Sequence, residues 1–323
     1  MTPTKLKRLL IIDGANMFIR NYVMSPQLDS NGKPIGGLVG FMRSLQKEIR
    51  RTNPDRVAIA WEGPGGSQSR KDKNKNYKAG RKPPKLNREY EFASTEEETD
   101  NKYEQMLRLT EYLENLPVFQ LMLENVEADD IIAWLCHCHE YSSWQKVIIS
   151  SDKDFLQLCD DKTVLIRPGK NEEILNKHKV LEDYDIHPRN FALARAIVGD
   201  KSDNLDGVRG MGLKTVAKRF SFLSEDRDYA LSDVLQHAKD NKNKVKVFQK
   251  VLESEEVIAL NYEIMQLYIS TISSQGIHKL KYAIENDGLI LNRTNIRTML
   301  LSDGIATLNI NELLLLLQGH IKK

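Results

Sequence analysis

RLLIID, residues 8–13, is a strand-length apolar run that ends in an acid and is followed at once by Gly14, Ala15 and Asn16. The same pattern returns in RVAIAW (56–61), which Glu62 follows, and in KVIISS (146–151), which Asp152 and Asp154 follow. PVFQLML (117–123) and TVLIRP (163–168) are further β-like runs, and helical patterns stand between several of them, at Gly37–Arg51 and Asp129–Glu140. Strands that are apolar throughout and alternate with helices predict an α/β fold whose central sheet is mostly parallel and flanked by helices. We expect residues 1–190 to form this core.

In an open parallel sheet a ligand collects beyond the carboxyl ends of the strands. That rule puts Asp13, Glu62, Asp152 and Asp154 at one crevice. EADDII (127–132) adds Glu127, Asp129 and Asp130 at a helix start, where the helix dipole favours acids and where residues 127 and 130 share a face. GDKSDN (199–204) adds Asp200 and Asp203. A single acid at such a position is ordinarily a cap, a turn former or a surface charge. Gathered together, like charges repel and resist desolvation, so a cation is required. Oxygen donors without paired Cys or His suit Mg²⁺ or Mn²⁺, and several carboxylates hold two such ions about 4 Å apart across a phosphodiester.

Charge is segregated along the 323-residue chain, although 47 Lys and Arg against 45 Asp and Glu leave a net charge of only +2. Residues 70–88 carry nine bases and one acid, Asp72, whereas residues 89–98 carry five acids and no base. The segment 63–99 opens with GPGGS and contains Pro83-Pro84, so we expect a mobile, substrate-contacting arch rather than core. From His187 onward helical patterns dominate, through PRNFALARAIVG, LKTVAKRF and the stretch 245–270 to NINELLLLLQGHI (309–321), read as a docked C-terminal helix. Residues 191–323 are thus expected to be helical. In GVRGMGLKTVAKRF (207–220), Gly207, Gly210 and Gly212 permit a tight turn with close backbone approach. The helix that follows offers free N–H groups to a phosphate, and Lys214, Lys218 and Arg219 add charge. Three cysteines argue against a disulfide framework, and CHCH (136–139) has the wrong spacing on a helix for a zinc site. No signal-like segment and no apolar stretch of about 18 residues is present, so we expect a cytoplasmic protein without a membrane partner.

Taken in order, LLIIDGANMFIR, GKPIGGLVGFMRSL, SRKDKNKNYKAGR, VEADDIIAWLC, ISSDKDFLQL and IVGDKSDNLDGVRGMGLKTVAKRF resemble the flap endonuclease or 5′-nuclease family. That family includes phage 5′→3′ exonucleases and the 5′-nuclease domain of bacterial DNA polymerase I, and the resemblance spans about residues 8–222. It implies a PIN-like core with a helical arch and a helix–turn–helix variant. It also implies a structure-specific, Mg²⁺-dependent nuclease acting on DNA with 5′ flaps, nicks, gaps or free 5′ ends, and on RNA–DNA hybrids. By the same resemblance Asp13, Glu127, Asp129, Asp130 and Asp152 form a first metal cluster, and Asp154, Asp200 and Asp203 a second. Glu62 departs from the family, where Asp is usual, so a displaced or water-mediated contact is expected. Lys78 and Arg81 are spaced for one side of a helical turn, and the resemblance implies that they are the catalytic cations. By the same resemblance Arg70 and Arg20 match basic positions and are expected to contact DNA, Arg20 as a phosphate grip, and the turn 207–212 is expected to hold duplex DNA with a K⁺ ion.

Two other readings share these features. A PIN-like ribonuclease has the carboxylate crevice but generally lacks the duplex-gripping turn, and a non-catalytic DNA-structure-binding protein would treat Glu62 as the mark of a decayed site. A phosphatase with an Asp nucleophile fits less well, because DGAN has no acid two residues after Asp13. Without a polymerase-sized extension we expect a separate, monomeric phage or bacterial nuclease, acting in replication, repair or primer removal beside a replication-protein partner.

Overall fold

Six strands pair side by side in a computed structural model that describes residues 6–80, 92, 94–268, 271–286 and 289–321. In chain order the elements begin with β1 (Arg8–Asp13), α1 (Gly14–Met24), α2 (Gly36–Thr52), β2 (Arg56–Ala60), α3 (Gln68–Lys73), α4 (Thr95–Glu114) and β3 (Phe119–Leu121). Next come α5 (Ala128–His137), β4 (Gln145–Ile149), β5 (Thr163–Arg167), β6 (Glu173–Leu175), α6 (Lys177–Tyr184) and α7 (Phe191–Val198). The remainder is helical: α8 (Leu213–Arg219), α9 (Leu231–Asn241), α10 (Lys246–Glu253), α11 (Glu255–Met265), α12 (Ser274–Asn286), α13 (Arg293–Ser302) and α14 (Ile310–Ile321).

The sheet order is β3-β2-β1-β4-β5-β6, parallel except for the antiparallel edge pair β5 and β6. Registration sets where the acids fall. Asp13 lies opposite Ala60 and Ile12 opposite Ile149, so the residues after β1, β2 and β4 leave the sheet along one edge. Side chains alternate between faces. Leu9, Ile11 and Ile148 join one cluster with α5, α7, α8 and α10, while Leu10, Ile12, Val147 and Ile149 join a second with α1, α2, α4, α13 and α14.

The leucine-rich helix docks as expected, with Leu313, Leu314 and Leu317 buried on the second face. Its approach is fixed by the turn before it: Asp303 accepts Arg108 Nε at 2.8 Å, Arg108 Nη2 at 2.9 Å and the Tyr112 hydroxyl at 2.8 Å, all from α4. Two expectations change. The helical stretch 245–270 breaks at Ser254 into α10 and α11. The segment after β2, expected to be a mobile arch over 63–99, is held within its first part by the buried Arg70 and Tyr77, and its residues 81–91 and 93 lie outside the described residues. Tyr77 packs with Leu205, Ile264 and Met265, and Lys73 pairs with Glu263 of α11 at 2.8 Å. Among the described residues no helix is long and apolar enough to cross a membrane.

Candidate active site

Asp13 ends β1 and caps α1. One of its oxygens accepts from the Asn16 N–H at 3.0 Å and the other from the Ser150 hydroxyl at 2.9 Å. Ser150 is fully buried, and its oxygen accepts from the Asp152 N–H at 3.1 Å, which ties the ends of β1 and β4 together. Asp152 in turn accepts from the Asp154 N–H at 2.8 Å, turning the chain into a short 3₁₀ helix, Asp154–Leu158. α5 brings Glu127 at its N-cap and Asp129 and Asp130 in its first turn. Burial pushes Asp13 up to about 6, with the Asp152 charge adding to it. Burial followed by the Asp152 charge pushes Asp154 up to about 7 and Asp129 well above the carboxylate range. These groups resist ionisation chiefly because burial strips water from the charged form, and the neighbouring acids add to that cost.

Three basic side chains answer part of the deficit. Arg70 on α3 reaches Glu127 at 2.5 Å and Asp130 at 3.2 Å, and its Nε donates to the Ile264 carbonyl at 3.0 Å. Lys78 Nζ donates to Glu127 Oε1 at 2.9 Å. Arg195, near the end of α7, bridges Asp154 at 3.0 Å and Asp200 at 2.5 Å. Burial works against the charge on Glu127, yet Arg70 and Lys78 outweigh it and hold that carboxyl below its ordinary value. The Ser202 hydroxyl and Arg195 likewise outweigh burial at Asp200. At Asp130 burial wins over Arg70, and the carboxyl is pushed up.

The loop carrying Lys78 is latched to the loop carrying Asp203. Lys78 adopts φ 55, a left-handed conformation uncommon outside glycine, and its N–H donates to the Asp203 carbonyl at 3.0 Å. Asn204, at φ 60, donates from its amide to the Asn76 carbonyl at 3.1 Å. The buried Tyr77 hydroxyl donates to Glu127 at 3.4 Å, and Tyr77 lines a small cavity with Arg70, Asp129, Asp154 and Asp203.

The fold thus gathers the acids around one small cavity: Asp129, Asp154 and Asp203 line it, Asp13 and Asp152 act on Asp129 by their charge, Glu127 and Asp130 are joined to it through Arg70, and Asp200 through Arg195. Glu62 is exposed at the rim and accepts from the Ser67 hydroxyl at 3.1 Å. Arg70, grouped from sequence with the DNA contacts, is instead buried and committed to two carboxylates. Arg20 lies half-buried on α1 beside Glu48 and Glu172, apart from these acids. Arg81 falls outside the described residues. Sequence reasoning missed Arg195, Tyr77 and Ser150. The signal for Arg195 was a lone base on the otherwise apolar FALARAIV.

The glycine turn packs back on α7, with the Val208 N–H donating to the Ile197 carbonyl at 2.8 Å. A Cβ at Gly207 would stand 1.9 Å from the Val198 carbonyl oxygen, and Gly210 has φ 90, so both positions require glycine. Gly212 does not: nothing lies near its would-be Cβ and its φ is −107. α8 has only seven residues, a short base for the helix-end contact expected from sequence. Lys214 and Lys218 are exposed along it, and Arg219 is half-buried.

As they stand, no three described His, Cys, Asp or Glu side chains form a cage for a metal ion. The donor set nevertheless fits a hard divalent cation, since it consists of crowded, buried carboxylate oxygens.

Residues 8–185 match the family model for the 5′-3′ exonuclease N-terminal resolvase-like domain. A 5′-3′ exonuclease of Buchnera aphidicola subsp. Schizaphis graminum is 31% identical over 227 residues, which cover 68% of this chain and 73% of the relative. One from Halalkalibacterium halodurans is 30% identical over 310 residues, covering 90% of this chain and 95% of the relative. In fold the chain is similar to a bacteriophage T5 flap endonuclease in a pseudo-enzyme–product complex with DNA and metal ions, with a TM-score of 0.63 at 19% identity over 91% of this chain and 99% of that one. A strand-end carboxylate crevice, the family model across more than half of the sequence and relatives aligned over most of their length lead to one conclusion: the chain belongs to the 5′-3′ exonuclease family.

Proposed function

We propose that this crevice hydrolyses DNA phosphodiesters at 5′ flaps, nicks, gaps and free 5′ ends with two Mg²⁺ ions, for which Mn²⁺ substitutes. The observation that carries the reading is the crowding of buried acids, with Asp13 pushed up to about 6 and Asp154 to about 7, at the sheet edge beside Lys78. In this reading Asp13, Glu127, Asp129, Asp130 and Asp152 hold one ion, Asp154, Asp200 and Asp203 the other, and Glu62 reaches in through water. When bound, such ions polarise a phosphate oxygen and make water more acidic.

The chain's own residues do the positioning. Lys78, its backbone fixed by Asp203 and its ammonium close to the acids, supplies positive charge to the non-bridging phosphate oxygens as charge shifts during transfer. Arg81 is proposed to act with it. Lys214, Lys218 and Arg219 contact phosphates of the duplex, and the turn from Gly207 to Gly212 approaches its backbone with a K⁺ ion; such contacts position DNA without reading its sequence. The division into a nuclease core over 1–190 and a helical DNA-binding region over 191–323, and action as a cytoplasmic monomer in replication, repair or RNA primer removal, belong to the same proposal. The likeness to a T5 enzyme described in complex with DNA and metal ions supports it at the level of fold.

Asp152→Asn and Asp200→Asn, assayed on a labelled 5′-flap duplex in Mg²⁺, test the assignment. Loss of cleavage with duplex binding retained is expected, and wild-type rates in either variant sink the metal sites. Matched RNA and DNA flaps in the same assay tell the DNA nuclease from a ribonuclease.

A further inference from the structure

Arg195 stands between the two acids proposed to begin the second metal cluster. Its Nε donates to Asp154 Oδ1 at 3.0 Å and its Nη2 to Asp200 Oδ2 at 2.5 Å. The other oxygen of Asp200 accepts from the Ser202 N–H at 2.7 Å and the Ser202 hydroxyl at 2.6 Å. Both oxygens of Asp200 are therefore engaged. The guanidinium is 12% exposed and the two carboxylates 18% and 19%, so the bridge is sheltered from the screening that weakens surface pairs. Its base is rigid, because the rest of α7 is packed and the Gly199 N–H closes the helix on the Arg195 carbonyl at 2.8 Å.

A guanidinium stays protonated at any pH a protein tolerates, and its planar fork spans two acceptors. A divalent ion taken up by Asp154 and Asp200 meets that fixed positive charge on the same two carboxylates, and at Asp200 both oxygens already accept hydrogen bonds. We infer that Arg195 is a built-in competitor of the divalent ion, neutralising Asp154 and Asp200 and lowering the affinity of that pair for metal. This rests on the assignment of Asp154 and Asp200 as metal ligands. A purely structural clamp would act in the opposite direction, since its removal would let the two acids drift apart and weaken metal binding.

The test is a calorimetric titration of the full chain with Mn²⁺ in the absence of DNA, on wild type, Arg195→Gln, Arg195→Lys and Asp200→Asn, each checked for fold by circular dichroism. Arg195→Gln should bind Mn²⁺ more tightly by roughly tenfold or more, tenfold being the scale of a single charge-assisted hydrogen bond at the weak end of its range. Arg195→Lys keeps the charge but loses the fork and should fall between the two. If Arg195→Gln does not fold, Arg195→Lys carries the test: tighter binding than wild type supports the competitor, and equal or weaker binding overturns it. Should Asp200→Asn bind as many ions as wild type with the same affinity, the ligand assignment itself fails. Should it lose a site while Arg195→Gln binds no more tightly than wild type, only the competition fails.

Discussion

Replacing Arg70 with Gln separates the two ways of neutralising the acids on α5. The guanidinium is buried, reaches Glu127 at 2.5 Å and Asp130 at 3.2 Å, and ties α3 to the Ile264 carbonyl of α11 at 3.0 Å. Removing one partner of a buried ion pair leaves its charge uncompensated, at a cost of about 3–5 kcal/mol. At roughly 2–3 °C per kcal/mol for a chain of this size, the melting temperature in EDTA should fall by about 6–15 °C. Mg²⁺ should restore more of that loss in the variant than it adds to wild type, because an ion held near Glu127 replaces the missing charge; at a hundredfold excess over its Kd, binding contributes about 2.7 kcal/mol. Thermal unfolding by circular dichroism, with and without Mg²⁺, reads both effects. A loss under about 1 kcal/mol in EDTA, or equal Mg²⁺ increments in both proteins, would refute the view that Arg70 serves as a counter-ion to these carboxylates.

Changing Lys214 and Lys218 together to Ala should weaken duplex binding and lower the slope of log K against log salt by about 1.8, at about 0.9 per phosphate contact; an unchanged slope removes α8 from the DNA interface. Gly207→Ala should cost about 2 kcal/mol or more, because the new methyl meets the Val198 carbonyl, whereas Gly212→Ala should stay within about 0.5 kcal/mol in the same melts. At Asp303 burial opposes the charge, but Arg108 and the Tyr112 hydroxyl outweigh it and lower the folded pKa. Its contribution is therefore present above the unfolded value near 3.8 and is lost as pH falls through the lower folded value. Asp303→Asn should destabilise the protein by about 1–3 kcal/mol at neutral pH and flatten that acid limb, read by denaturant titration at several pH values.

The parallel strands were legible because burial on both faces leaves a run of consecutive apolar residues in each, as in the LLII of RLLIID and the VII of KVIISS. β6 was not: it is three residues at the sheet edge, and Glu173 and Ile174 face solvent, so no apolar run announces it. The break at Ser254 was hidden for a related reason, since apolar positions continue through it from Phe248 and Val251 to Ile258. The leucines of α14 told that the helix docks. Where it docks depends on Asp303 finding Arg108 and Tyr112 nearly two hundred positions away, a contact no local pattern encodes.

The acids of the candidate site were legible for a different reason: a parallel sheet sends the residue after each strand to one edge, so topology places Asp13, Asp152 and Asp154 without any knowledge of packing. The bases obey no such rule. Arg70 is one of nine in a run that reads as solvated, and only the docking of α3 on α11 turns that side chain inward. Arg195 is placed by the packing of α7, which sets its guanidinium between acids 41 and five positions away in sequence. The net charge of +2 conceals the consequence. Apart from Glu62, the crevice gathers eight acids and, among the described residues, three bases in contact with them: Arg70, Lys78 and Arg195. Two divalent ions would nearly cancel that deficit, at a place where burial and the Asp152 charge already make ionisation of Asp13, Asp129 and Asp154 costly.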